Sequence, residues 1–155
     1  MPFRAMRWKH LIWYLAFGLA LPWITFLAGC IRYGRLADVL KLPERLFGAG
    51  YNYFAIDCLD AIPFVAVAGA VALQGSFRKE SQSLQFGLVA AEIATIVLSA
   101  AYQTAAWFNM LGPHPDSLIG ITFIIFPALI TAVSIVVGAL VWAAAAMFFL
   151  RSSAP

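Results

Sequence analysis

Three carboxylic acids of this 155-residue chain lie in or beside long apolar segments, and their type and position could support chemistry: Asp57, Asp60 and Glu92. Asp57 and Asp60 are three residues apart, so on a helix they share one face. Burying a carboxylate in a bilayer costs at least a few kcal/mol, which makes each of these acids a candidate functional site. In that setting an acid can bind a proton, a cation or a polar group of a partner protein.

A structural role for the two aspartates is also open. The sequence Asp57-Cys58-Leu59-Asp60 has the spacing of an N-terminal capping box, and the apolar stretch Ala61–Leu73 begins directly after it. Carboxylates at a helix start are stabilised by the unpaired N–H groups there. We therefore expect either helix capping near the outer interface or an ion, proton or partner site.

Glu92 begins a polar stripe in the third apolar segment, about eight residues after its start. Polar side chains recur at helical spacing on one face, which predicts a helix side turned towards other helices rather than lipid. The stripe consists of Glu92, Thr95, Ser99 and Tyr102 or Gln103. Three roles are open: interhelical hydrogen bonding, a buried acid that exchanges a proton or binds a cation, and contact with another membrane subunit.

The segments that position these residues are long enough to cross a bilayer. The chain is 63% apolar and 11% charged, with a mean hydropathy of +0.88. Soluble domains average about 45–50% apolar residues and about 25% charged residues. A bilayer core of about 30 Å requires about 20 apolar residues. The composition predicts an all-α polytopic membrane protein with a single integral membrane domain, residues 1–155, and four transmembrane helices in an antiparallel bundle. The predicted helices are 11–31, 51–74, 84–104 and 118–150.

The fourth segment carries two further signals. Thr131, Ser134 and Gly138 form a line of small residues that lets a neighbouring helix approach closely. Pro127 precedes that line and predicts a kink or a division of the segment. In the link before the segment, Asp116 or Ser117 is expected to cap its first turn.

The basic residues predict the orientation. With a cytoplasmic N-terminus, the inner side carries Arg4, Arg7, Lys9, Arg78, Lys79 and Arg151. The outer side then carries Arg32, Arg35, Lys41 and Arg45. The excess on the inner side predicts that both termini are cytoplasmic in a bacterial inner membrane. The first outer loop, 32–50, is expected to lie along the membrane surface between helices 1 and 2.

The two cysteines allow two modifications. The sequence Leu27-Ala28-Gly29-Cys30 resembles the lipobox of bacterial lipoproteins, which implies lipidation of the cysteine. Cys30 and Cys58 lie near the same outer face in the predicted topology, so a disulfide is allowed in an oxidising periplasm. We expect retention of an ordinary first helix and two free thiols, with lipidation and a disulfide as alternatives.

Other chemistries have little support in the sequence. The only histidines, His10 and His114, fall at opposite membrane faces in the predicted topology, so no metal centre is expected. The chain has no phosphate-cradling glycine motif and no nucleophile elbow, and no cofactor is expected. The basic residues flank apolar segments and meet lipid headgroups, so nucleic acid is not an expected partner.

One stretch resembles a family of membrane enzymes. Glu44-Arg45-Leu46-Phe47-Gly48-Ala49-Gly50-Tyr51-Asn52 resembles the Glu-Arg…Ala…Asn signature of the MAPEG family, and Asp60-Ala61-Ile62-Pro63 is similar to its acid-x-x-Pro. The resemblance implies a four-helix enzyme acting on glutathione and lipid mediators. In that family the acid follows the asparagine more closely, and an arginine and a tyrosine on the third helix have no counterpart here. No catalytic residue is therefore carried over.

The sequence favours a small non-catalytic protein that binds a partner within the lipid bilayer. Accessory subunits of membrane complexes and immunity proteins against membrane-acting toxins have this character, and the partner would be another membrane protein or a second copy. One alternative is an oligomeric proton- or ion-coupled transporter or channel that uses Glu92, Asp57 and Asp60. The other is the MAPEG-like enzyme.

The charge distribution makes a direct prediction about topology. A reporter fused after Gly50 should lie on the periplasmic side, because the excess of basic residues retains the preceding N-terminus in the cytoplasm. A fused alkaline phosphatase, which is active only in the periplasm, measures this. If the phosphatase were active when fused at the C-terminus and inactive after Gly50, the orientation would be the opposite of the predicted one.

Overall fold

The computed structural model describes residues 2–41, 53–74, 82–114 and 119–152. Within these ranges the chain is helical and has no strand. The helices are α1 Pro2–Arg32, α2 Ala37–Leu40, α3 Tyr53–Asp60, α4 Ile62–Gln74, α5 Gln82–Leu111 and α6 Ile119–Ser152.

Three helices are long and apolar enough to cross a membrane: Lys9–Arg32 in α1, Gln82–Leu111 in α5 and Ile121–Leu150 in α6. The second predicted segment differs, because it consists of α3 and α4, which are bent by 41° at a break. Together the bent pair would make a fourth span. The all-helical class is confirmed for the described residues, and three helices of this length and composition are consistent with a multi-pass membrane protein.

The break in the second segment has a chemical cause. The Ala61 amide still bonds to the Asp57 carbonyl oxygen at 3.0 Å, and the Val65 amide to the Ala61 oxygen at 3.0 Å. Pro63 has no N–H to give to Leu59, and its ring disfavours a continuous helix through the preceding turn. The prediction of one uninterrupted helix over 51–74 is therefore wrong within the described residues 53–74.

Pro127 has a different outcome. Helix α6 runs from Ile119 to Ser152 with Pro127 inside it, so of the two predicted outcomes the division is wrong and the kink stays a prediction. Pro127 removes only the amide bond to the Phe123 carbonyl oxygen, and the Thr131 hydroxyl donates to the Pro127 carbonyl oxygen at 2.8 Å, as threonine commonly does within a helix. The expected cap at Asp116 or Ser117 lies outside the described residues.

Helix α5 lies at the centre of the bundle, since it packs against α1, α4 and α6. Its contact with α6 is very close. A Cβ on Gly138 would lie 2.8 Å from the Gly87 carbonyl oxygen and 2.9 Å from the Ala91 Cβ, and a Cβ on Gly87 would lie 2.7 Å from the Gly138 oxygen. The close approach predicted for the line of small residues is confirmed at Gly138, and Ser134, one turn earlier, is fully buried.

Two apolar clusters hold the helices together. The first joins α1, α4 and α5 and contains Leu11, Tyr14, Leu21, Phe64, Val67, Ala68, Val71 and Ala91. The second joins the other end of α1 to α5 and α6 and contains Phe26, Cys30, Ala106, Trp107, Leu111 and Phe123. In the second, the Phe26 and Trp107 rings meet edge to face with centroids 5.0 Å apart. Both clusters border the polar face of α5.

The end of α1 is anchored to the end of α5. Gly34 has a positive φ of 67°, and the Arg35 amide bonds to the Cys30 oxygen at 2.8 Å, which closes the helix with a Schellman turn. The Arg35 guanidinium then donates to the last α5 carbonyl, that of Leu111, at 3.3 Å. The remainder of the predicted interfacial loop, 42–50, lies outside the described residues.

The glycine contact between α5 and α6 predicts a sharp difference between two substitutions. Gly138→Ala should lower the free energy of unfolding by about 1–3 kcal/mol, because its methyl group meets backbone atoms. The matched control is Gly69→Ala on α4, where a Cβ would have no atom within 4 Å. That variant should be neutral or slightly stabilised. Thermal unfolding in detergent, followed by tryptophan fluorescence, compares them, and equal midpoints would contradict the packing.

Candidate functional site

The polar stripe of α5 faces the inside of the bundle. Exposure is 7% for Glu92, 0% for Thr95, and 1% for Ser99 and Gln103, whereas Tyr102 is half-buried. The stripe is thus covered by the neighbouring helices. Buried polar groups in a membrane bundle require partners that lipid cannot supply.

Asp60 is the most isolated acid of the described chain. It is the last residue of α3, directly before the break, and only 2% of its surface is exposed. Both of its carboxylate oxygens are buried and have no hydrogen-bond partner among the described residues. The capping interpretation is therefore wrong for Asp60, because its side chain accepts no N–H from α4.

Two acidic or hydroxyl groups lie close enough to Asp60 to interact with it electrostatically. Asp57 precedes it by one turn on α3, and the Tyr102 hydroxyl comes from α5. The Thr122 hydroxyl of α6 also lies near that of Tyr102. We call Asp57, Asp60, Tyr102 and Thr122 the Asp60 cluster. It joins three helices at the point where the second segment breaks.

Asp57 borders a small cavity. The Trp23 indole N–H donates to its Oδ2 at 3.1 Å, whereas its Oδ1 is buried without a partner in the described chain. The cavity is about the size of one water molecule and is lined by Pro22, Trp23, Ile56, Asp57 and Trp107. Asp57 therefore does not cap α4 either, since its bond runs to α1.

A second polar group surrounds Glu92. A hydrogen bond of 3.0 Å joins His10 Nε2 of α1 to Glu92 Oε2, and the side chains are 61% and 9% exposed, respectively. The Tyr14 hydroxyl, one turn further along α1, lies near Thr95 and Glu92. We call His10, Tyr14, Glu92 and Thr95 the Glu92 cluster. It connects the buried stripe to the surface through the imidazole.

Sequence reasoning missed His10 as a partner of Glu92. The two residues are 82 positions apart, and no local pattern joins them. The only signal was that His10 and Tyr14 lie four residues apart and so share a face of α1. His114, the other histidine, is exposed after the end of α5.

Several buried polar atoms have no partner in the part of the chain that the structure describes. Leaving such an atom unpaired costs about 1–3 kcal/mol, so each is a candidate contact for water, a proton or a ligand. Beside the aspartates, these atoms include Glu92 Oε1, Ser99 Oγ, Gln103 Oε1, Ser134 Oγ and the hydroxyl oxygens of Tyr14 and Tyr102.

The Asp60 cluster contains two carboxylates. In the described ranges, no three histidine, cysteine or acidic side chains lie close enough together to bind a metal ion. Divalent cations prefer six or more oxygen ligands, several of them charged. A pair of acids in an apolar setting is better suited to a proton or to one monovalent cation.

The cysteines lie in different surroundings. Cys30 is fully buried in the second apolar cluster, Cys58 is exposed on α3, and neither forms a disulfide. The alternative of a disulfide between them is therefore not realised in the structure. Lipidation at Cys30 stays a prediction.

Thiol labelling distinguishes the two cysteines. In the folded protein, a maleimide should add once, at Cys58, because Cys30 is covered by aromatic side chains. Intact mass gives the number of adducts, and a Cys58→Ser variant should show none. A truncated, acylated chain would instead reveal lipidation at Cys30, and rapid double labelling would contradict the burial.

The MAPEG-like stretch 44–52 lies outside the described residues, and its second part, Asp60-Ala61-Ile62-Pro63, forms the break between α3 and α4. Comparisons of the whole chain with family models, with curated proteins and with solved structures find no match.

Proposed function

We propose that this chain is a multi-pass protein of a bacterial inner membrane that binds and releases a proton at Asp60, as proton-coupled transporters and channels do. One observation carries the proposal: a carboxylate inside an apolar bundle has both oxygens buried and no hydrogen-bond partner in the described chain. An ionised group in that position costs several kcal/mol. A bound proton removes the charge, so the site has two states of different charge.

The helix break supports this function. Membrane proteins tolerate irregular backbone at membrane depth where it lies against protein or lines a polar cavity, and broken helices recur at their ion sites. Here the 41° bend falls at Ala61, next to Asp60. Tyr102 and Thr122 bring hydroxyl groups of two other helices to the same place.

The proposed topology has four alternating spans, with α3 and α4 together as the second. Its support comes from contacts along the helices. His10 meets Glu92 and Gly29 faces Leu111, so α1 and α5 run in the same direction. Phe86 stacks on Phe149. With Tyr102 on Phe126, these pairs run in opposite directions along α5 and α6. The charge distribution supports a cytoplasmic position for both termini.

Partner binding, which the sequence favoured, has weaker support. Helix α6 is apolar on all sides, and only 22% of its most apolar stretch is buried against the rest of the protein. Its exposed surface suits lipid as well as an accessory or immunity partner. For an enzyme of the MAPEG type, the described residues add no catalytic group beyond the acids already named.

Chemical labelling tests the proposal directly. Dicyclohexylcarbodiimide is an apolar reagent that reacts with protonated carboxyl groups, so it should modify Asp60 in membranes of the intact protein. Asp60→Asn should abolish that modification. Asp57→Asn is the matched control, because it removes the neighbouring acid and keeps Asp60. Peptide mass spectrometry locates the adduct, and labelling only at other acids would contradict the proposal.

A functional measurement accompanies the labelling. Proteoliposomes with a pH-sensitive dye inside and an imposed potassium diffusion potential report proton entry. We expect entry with the intact protein and none with Asp60→Asn.

A further inference from the structure

We infer that the polar face of α5 is the route by which a proton passes between the Asp60 cluster and the exposed His10 imidazole. The inference rests on the proposed function and adds a path and a surface end to it. Its observations are the bond from His10 to Glu92 and the orphaned polar atoms between Glu92 and Asp60.

The surface end of the route is His10. Its side chain is 61% exposed, whereas its Nε2 bonds to a carboxylate that is 9% exposed. An imidazole can take a proton at one ring nitrogen and give one from the other. His10 is the second residue of the span Lys9–Arg32, at the end that the proposed topology places next to water, so it can link that water to Glu92. The second oxygen of Glu92, Oε1, is buried and has no partner in the described chain, so it is available to pass the proton inward.

The middle of the route consists of hydroxyl and amide groups one helical turn apart. From Glu92 through Thr95 and Ser99 to Gln103, the successive steps rise about 4.5–6 Å along α5, and the whole distance is about 16 Å. Hydroxyl groups both donate and accept, so they can relay protons. Gaps of this size are bridged by single water molecules.

Two side chains of other helices widen the route. The Tyr14 hydroxyl of α1 lies beside Thr95. Ser134 of α6 lies one turn from Gly138, on the side that faces α5, and is fully buried with an orphaned Oγ. The chain of polar groups thus has members from three helices at its middle.

The buried end of the route is the Asp60 cluster. Tyr102 and Gln103 are adjacent on α5, and the Tyr102 hydroxyl interacts with Asp60. Asp57 is the other titratable group that interacts with Asp60, and His10 and Tyr14 are those facing Glu92.

A stripe that served only to pack helices would have paired polar atoms. Here Ser99, Ser134 and Gln103 are at least 99% buried, and each leaves one polar atom without a partner among the described residues. Small apolar residues of the same volume would pack without that cost. The orphaned atoms therefore indicate transient occupants, which in a relay are water and the proton.

Infrared spectroscopy separates the route from the site. The C=O band of protonated Asp60 is identified as the band that Asp60→Asn removes, and its shift after transfer to D₂O gives the rate of proton exchange. The matched pair is Thr95→Val on the stripe and Thr104→Val on α5 outside it. Thr95→Val and Glu92→Gln should slow the exchange by at least about tenfold, since positioned proton carriers typically contribute 10² or more. Thr104→Val should exchange like the intact protein.

Three outcomes distinguish the proton route along α5 from the proton site at Asp60. Slower exchange in both stripe variants with normal thermal unfolding supports the route. A band that exchanges equally fast in every variant overturns the route and leaves the site at Asp60 intact. Absence of a band removed by Asp60→Asn overturns the site and, with it, the route. Glu92→Gln keeps the shape and the bond to His10, so its folding should be preserved, whereas Glu92→Leu should also weaken assembly.

Discussion

The structure depends on covering one polar face of a membrane helix. Helix α5 carries an acid, hydroxyls and an amide in a stripe that lipid cannot hydrogen bond. Each neighbouring helix has a part in enclosing it: α1 supplies His10 and Tyr14, α6 supplies Ser134, and the broken α3–α4 segment ends beside Tyr102. The position of α5 at the centre follows from this requirement.

Close backbone contact makes that enclosure tight. Gly87 and Gly138 bring α5 and α6 so near that neither position has room for a methyl group. Van der Waals packing is the main attraction between helices in a membrane, and it grows as backbones approach. The same closeness leaves no room for large side chains beside the stripe. Its small polar groups are therefore buried, while several of their atoms have no hydrogen-bond partner in the described chain.

Much of the architecture could be predicted because apolar length and helical periodicity are local properties. The spans of α1, α5 and α6 and the buried side of Glu92 follow from them. The break at Ala61 could not be predicted, because Asp57, Asp60 and Pro63 together look like the start of a helix. In the structure the helix α3, Tyr53–Asp60, precedes them, so the same residues mark a break within the segment instead. Pro127 does not divide α6, since the many other hydrogen bonds of a long apolar helix outweigh one lost bond. The partner of Glu92 required the fold itself.

The length of α6 has a consequence for the surrounding bilayer. Its apolar part, Ile121–Leu150, has 30 residues, against 24 for Lys9–Arg32 in α1. At 1.5 Å per residue this is about 45 Å against about 36 Å, both above a hydrocarbon thickness of about 30 Å. Hydrophobic mismatch of this size is relieved by inclination of the helix or local thickening of the lipid. Because α6 packs on α5 through Gly87 and Gly138, an inclination of α6 would change the contact between these two helices beside the polar stripe.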